Sequence, residues 1–244
     1  MSANLPEFNR GAIRPLECLK SGWALIKDEY WLFLGIAFIG IIVGSAVPLG
    51  ILMGPMMCGI YLCLLGRMRG ERVEFGLLFK GFDYFGDSIV AALAQVLPIM
   101  AIIFPLYFVF IIGFAMLTPQ RGSRRTVNDP SALITFLIMM GVVLLIAFII
   151  IMAISALFLF SFPLIVDKRL SGFNAVKTSA RAVMANLGGV LGLLMLNVLL
   201  GIGGLLLCYV GAFFMMPVSL AAWAVAYRQV FPAQQPDSGL SAWS

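Results

Sequence analysis

Four long stretches of this chain, residues 31–66, 88–120, 130–166 and 182–227, contain no Asp, Glu, Lys or Arg. A soluble domain scatters charge to keep its surface wet. A chain that withholds charge over runs of this length is making surface for lipid. Composition points the same way: 62% of the 244 residues are hydrophobic, against about 45–50% in soluble domains. The mean hydropathy is +1.05. The expectation is an all-α, polytopic membrane protein.

The net charge of +5 would suggest nucleic acid in a soluble protein. Here the basic residues fall in short segments beside the apolar runs, where positive-inside bias accounts for them, and no nucleic-acid partner is expected. There is no histidine, the commonest metal ligand and general base. Cys18, Cys58, Cys63 and Cys208 form no Cys-x-x-Cys pair and read as small packing residues. Nothing calls for a metal or a cofactor. The first 30 residues mix both charge signs and contain Pro6 and Pro15, unlike a secretory signal, so the first apolar run reads as an uncleaved membrane helix.

The chain then reads in order. Residues 1–14 form a mobile tail, and a surface helix follows from Pro15 to about Glu29. Tyr30 and Trp31 mark a membrane interface. Two membrane helices, to about Val47 and from about Ile51 to Met68, flank a turn at Gly44, Pro48 and Gly50. A second, aromatic surface helix covers Phe75 to Phe85. The runs 88–118 and 131–163 are too long for simple crossings, and Pro98 and Pro105 can kink the first. Between them lies a polar loop at 120–130. Ser171 is placed to N-cap a third surface helix. A fifth membrane helix covers about 186–200, Gly201, Gly203 and Gly204 make its turn, and a sixth runs to Tyr227. The tail 232–244 reads as disordered.

The three surface helices share a stripe. Leu16, Leu19, Trp23, Ile26 and Tyr30 step by three, four, three and four. So do Phe75, Leu78, Phe82, Phe85 and Ile89, and Phe173, Val176, Ala180, Val183 and Leu187. This is one face of a helix lying at a membrane surface. The reading is one transmembrane domain, residues 1–231, of three units at about 15–68, 74–163 and 172–229. Each unit is an interfacial helix followed by a membrane hairpin, giving about six spans. Thirteen of the sixteen Lys and Arg fall on one side, including both terminal segments, which are therefore expected in the cytoplasm.

Chemistry-bearing residues are few. Gly50-x-x-x-Gly54 and Gly188-x-x-x-Gly192 lack the Lys-Ser/Thr of a phosphate loop and read as helix-packing pairs. Gln95 and Asn197 stand inside the apolar runs, for an interhelical hydrogen bond or a substrate contact. A basic collar holds Lys20, Lys27, Arg67, Arg69, Lys168, Arg169, Lys177 and Arg181, with Asp28, Glu29 and Asp167 in the same layer. Of these, Lys20, Lys168, Arg169, Lys177 and Arg181 are the candidates for anionic lipid headgroups. The leading reading is a non-enzymatic scaffold or envelope and lipid-homeostasis factor. A passive carrier or lipid-handling transporter with a site between the hairpins is the alternative. A membrane-protein partner and a homo-oligomer both stay open.

Gly22-Trp23-Ala24-Leu25, Val47-Pro48-Leu49-Gly50, Leu78-Phe79-Lys80-Gly81-Phe82 and Ala226-Tyr227-Arg228-Gln229-Val230-Phe231 resemble words of an uncharacterised family of six-helix bacterial inner-membrane proteins. Residues 162–186, through Pro163, Asp167, Ala175, Ser179 and Asn186, are similar to YciC-type proteins and to the membrane domain of some glycerophosphodiester phosphodiesterases. The resemblance implies a six-helix fold in a bacterial inner membrane. It implies no phosphodiesterase activity, whose soluble catalytic domain this sequence lacks.

Overall fold

In the computed structural model, which describes residues 6–47, 50–117, 130–206 and 210–233, every regular element is helical. The order is α1 (Pro15–Ile26), a 3₁₀ turn (Lys27–Glu29), α2 (Tyr30–Ser45) and α3 (Met53–Met68). A 3₁₀ segment (Phe75–Tyr84) leads into α4 (Phe85–Leu117). Then come α5 (Pro130–Leu157), α6 (Ser161–Lys168), α7 (Gly172–Ala185), α8 (Leu187–Leu206) and α9 (Val210–Val230). Three stretches are long and apolar enough to cross a membrane: Phe75–Ala115, Leu133–Lys168 and Leu187–Gly204. α2 and α3 have 16 residues each, about 24 Å of rise against a hydrocarbon core of about 30 Å. Length and composition by themselves thus license three spans, where the sequence reading has six.

The chain divides into two compact units, Met1–Leu93 with Leu157–Ser244, and Ala94–Ala156. The second unit holds most of α4 and α5. The most apolar windows of those two stretches are 0% and 11% buried, so their apolar side chains face outward nearly all round. Such helices need lipid as solvent. α4 runs through Pro98 and Pro105 as one helix. Gly113 lets α4 meet the Phe136 ring, since a Cβ there would overlap it.

The first unit packs by close backbone approach. A Cβ on Gly22 of α1 would lie 2.7 Å from the Ala222 nitrogen of α9. The 3₁₀ segment crosses α3 where Gly59 meets the Leu78 carbonyl and Gly81 meets the Pro55 carbonyl, with no room for a Cβ at either glycine. α9 carries Pro217 internally, and the Tyr30 hydroxyl of α2 donates to the nearby Phe214 carbonyl at 2.5 Å.

Several expectations are corrected. The middle surface helix is 3₁₀, not α, and its tighter winding scatters the stripe: Leu78 is buried while Phe79, Phe82 and Phe85 are exposed. Gly201, Gly203 and Gly204 lie inside α8 rather than in a turn. α5 stops at Leu157, and a turn at 158–160 separates it from α6. Ser171 occupies the N-cap of α7 but makes no capping bond; the Asp87 carboxylate accepts from the Gly172 N–H at 2.9 Å instead. Residues 9–14 are tied to the ends of α7 and α9 by hydrogen bonds, not loose. A Cβ on Gly192 would meet the Pro15 ring at the start of α1 while one on Gly188 would meet nothing within 4 Å, so only Gly192 of that pair lies at a close helix contact. Gly50 adopts φ +64 before α3, a turn role. Most of the polar loop at 120–130 and of the tail at 232–244 lies outside the described residues.

Candidate functional site

α1 and α7 are two-faced. α1 buries Cys18, Gly22 and Ile26, and α7 buries Ala175, Ser179 and Val183. Each α7 residue stands 157 places after its α1 counterpart. The outer faces keep large apolar side chains in the open: Leu16 is 63% and Trp23 48% exposed, Phe173 70% and Met184 61%. Small residues allow helices to approach, so they belong on the protein side of a membrane protein, and bulky apolar groups go to the lipid. The expected stripe is therefore split. Leu16, Trp23, Phe173 and Leu187 face outward, while Ile26 and Val183 join the inner face.

Lys20, Lys177 and Arg181 are exposed beside the outer apolar residues. Long cationic side chains placed there can run their stems over apolar surface and hold their charge at the headgroup level. Arg169 is also exposed, in the left-handed region at φ 49, where it ends α6. Lys168 differs. Its ammonium lies 3.8 Å from Asp167 Oδ2, and its side chain is only 15% exposed. None of the other four candidates makes an ion pair among the described residues.

Asp167 is the hub of a half-buried joint between α6 and α9. Arg228 donates from Nη1 to Oδ2 at 3.0 Å and from Nη2 to Oδ1 at 2.8 Å, a bidentate pair. The Tyr227 hydroxyl donates to Oδ2 at 2.8 Å. The collar also pairs Arg67 with Glu29 at 3.0 Å and Arg69 with Glu71 at 2.6 Å. The Arg69 hydrogen bond holds the Glu71 carboxyl below its usual range and pushes the guanidinium up. These charges are spent on one another and serve structure.

The intramembrane candidates separate. Asn197 Nδ2 donates at 2.8 Å to Leu193 in its own helix, so the expected interhelical bond is absent among the described residues. Its Oδ1 is buried and unpartnered there. Gln95 is half-buried on α4. Cys18, Cys58 and Cys63 are buried free thiols, and burial pushes Cys18 up to about 11. Cys208 lies outside the described residues. No group of three His, Cys, Asp or Glu suited to a metal occurs among the described residues.

Sequence reasoning missed the joints because their partners lie far apart along the chain. The pair Asp167 and Arg228 has no periodic signature. The one available signal was verbal, since these joints use the words quoted above. Asp167 meets Tyr227 and Arg228, while Asn186 and Gln229 both bind residues before α1. The Ser179 hydroxyl accepts from the Phe160 N–H at 3.0 Å and donates to the Leu157 carbonyl at 2.7 Å, holding the break between α5 and α6. No family model, curated protein or solved structure matches the chain.

Proposed function

We propose that this protein is a non-enzymatic, multi-pass protein of a bacterial inner membrane, a scaffold or lipid-homeostasis factor that contacts anionic headgroups through Lys20, Arg169, Lys177 and Arg181, with Lys168 at the edge of the patch. The observation that carries this reading is the shared register of α1 and α7. Both bury a small-residue face and expose bulky apolar residues with cations alongside. That register also supports the repeat between the first and third units, and with it three hairpins and six spans, while the 13-to-3 split of Lys and Arg supports cytoplasmic termini. α9, with 21 residues, is long enough to cross, and α2 and α3 would cross sheltered by their neighbours with the bilayer thinned around them.

Each basic residue near an anionic surface contributes about 1 kcal/mol. Replacing Lys20, Lys177 and Arg181 with Gln should remove roughly 3 kcal/mol of preference for phosphatidylglycerol or cardiolipin over phosphatidylethanolamine. Retention of these lipids in native mass spectra of parent and variant measures it. Equal retention would reduce the collar to a topology signal.

One observation favours the lipid-handling carrier as a second reading. An open apolar groove of about 640 Å³ within the Ala94–Ala156 unit is lined by Ile103, Leu106, Leu144, Leu145 and Phe148 among others. Lipid transfer between vesicles carrying the purified protein separates a carrier from a scaffold.

A further inference from the structure

The segment before α1 is read, residue by residue, by two amide side chains on distant helices. Asn186, at the joint of α7 and α8 and only 2% exposed, accepts from the Ala12 N–H at 2.9 Å. Its Nδ2 donates to the Asn9 carbonyl at 3.0 Å and to Ala182 at 2.8 Å. Gln229 Oε1 accepts from the Arg14 N–H at 3.0 Å and from the Cys18 thiol at 3.2 Å. The Asn9 N–H donates at 2.9 Å to the carbonyl of Val230, the last residue of α9. That carbonyl has no partner inside its own helix, so the strap caps α9 from outside.

Apolar contacts follow the same line. Ile13 lies where a Cβ on Gly189 would come within 2.5 Å of its own Cβ, and Pro15 meets Gly192 at 2.8 Å in the same sense. Phe8 sits against Phe231 with ring centroids 6.0 Å apart. The two glycines in the first turns of α8 thus form the seat of the strap.

Its hold is also shallow. Ile13 is its one buried side chain, while Asn9, Arg10, Gly11 and Arg14 are exposed. Gly11 turns the strap at φ +62, with nothing within 4 Å of a Cβ built there. A segment fixed by a few hydrogen bonds, Ile13 and the Phe8–Phe231 contact, with most of its other side chains exposed, opens below global unfolding.

We propose that this strap is a releasable latch, closing the start of α8 and the end of α9 onto α1, and that its opening frees that end of α8 to move. The device needs neither headgroup binding nor the repeat. Hydrogen exchange on the full chain, read by mass spectrometry, tests it through Gly11→Ala. This change strains only the strap backbone, because alanine pays for left-handed φ and meets no neighbour.

Exchange over residues 9–14 should quicken about tenfold. Residues 187–192 and 227–230 should quicken with it, and 56–65 of α3 should not change. Asn186→Ala should give the same pattern from the receiving side. Strap amides that already exchange no faster than the core of α1 in the parent would overturn the latch. So would a quickened strap with α8 and α9 unmoved, and so would general quickening that includes α3.

Discussion

α1 lays Cys18, Gly22 and Ile26 on its neighbours, and α7 lays down Ala175, Ser179 and Val183 in the same register. The middle residue of each set meets its surroundings differently. Gly22 brings α1 against the backbone of α9, and its contribution is the absence of a side chain. Ser179 uses its side chain to pair a carbonyl and an N–H at a helix break. Gly81 of the 3₁₀ segment is again buried against backbone. The difference teaches that smallness fixes which face turns inward, while the chemistry at the contact is free to vary.

A reciprocal swap tests the limit of that equivalence and has the largest expected effect. Gly22→Ser places a Cβ within 2.7 Å of the Ala222 nitrogen, where backbone must move. The cost should be about 3 kcal/mol, seen as lost thermal stability in detergent. Ser179→Gly should cost roughly 2 kcal/mol, from two unpaired buried backbone groups and the lower helix propensity of glycine. Neutral swaps would mean that the two contacts are interchangeable.

The Asp167 joint belongs to the α7 end alone, since the residue 157 places earlier is the exposed Arg10. Asp167→Asn keeps the shape but leaves the Arg228 guanidinium without its counter-charge. A loss of about 2 kcal/mol is expected, less than for a fully buried pair because both side chains keep some exposure to water. No loss in a thermal scan would make the joint decorative.

Cys18→Ala, which gives α1 the alanine of α7, should cost under about 1 kcal/mol near neutrality. It should also remove a pH dependence. The buried thiol ionises near 11, against about 9 in the unfolded chain. Its contribution is therefore whole below pH 9 and lost as pH rises toward 11. The parent should lose stability across that window, and the variant should lose less. Identical slopes would remove Cys18 from the account.

The helical class, the helical period of α1 and α7 and the exposure of Lys20, Lys177 and Arg181 were all legible, since each follows from charge spacing or a 3.6-residue period. What misled was size. A search for large apolar residues finds the exposed stripe, because the inner face of Gly, Ala, Ser and Cys carries little hydropathy. The 3₁₀ segment was hidden for a related reason, since close approach at Gly59 and Gly81 leaves no trace in periodicity. Gly201, Gly203 and Gly204 read as a turn by local preference, yet α8 carries them. Asp87 displaced Ser171 as the cap of α7 from 85 residues away, beyond the reach of any local rule.

The strap also has a place in time. Its hydrogen bonds to Asn186 and Gln229 join residues 174 and 215 positions apart, so the strap is made long before its partners. Until α8 is made, Ile13 has no seat at Gly189, and until α9 is made, residues 9–14 have no helix end to cap. Closing so large a loop costs little more entropy than closing one half its size, because the penalty grows only with the logarithm of length. Docking of the strap therefore reports that α8 and α9 have been made. A protease or partner that recognises the free strap would distinguish chains with α8 and α9 in place from those without them.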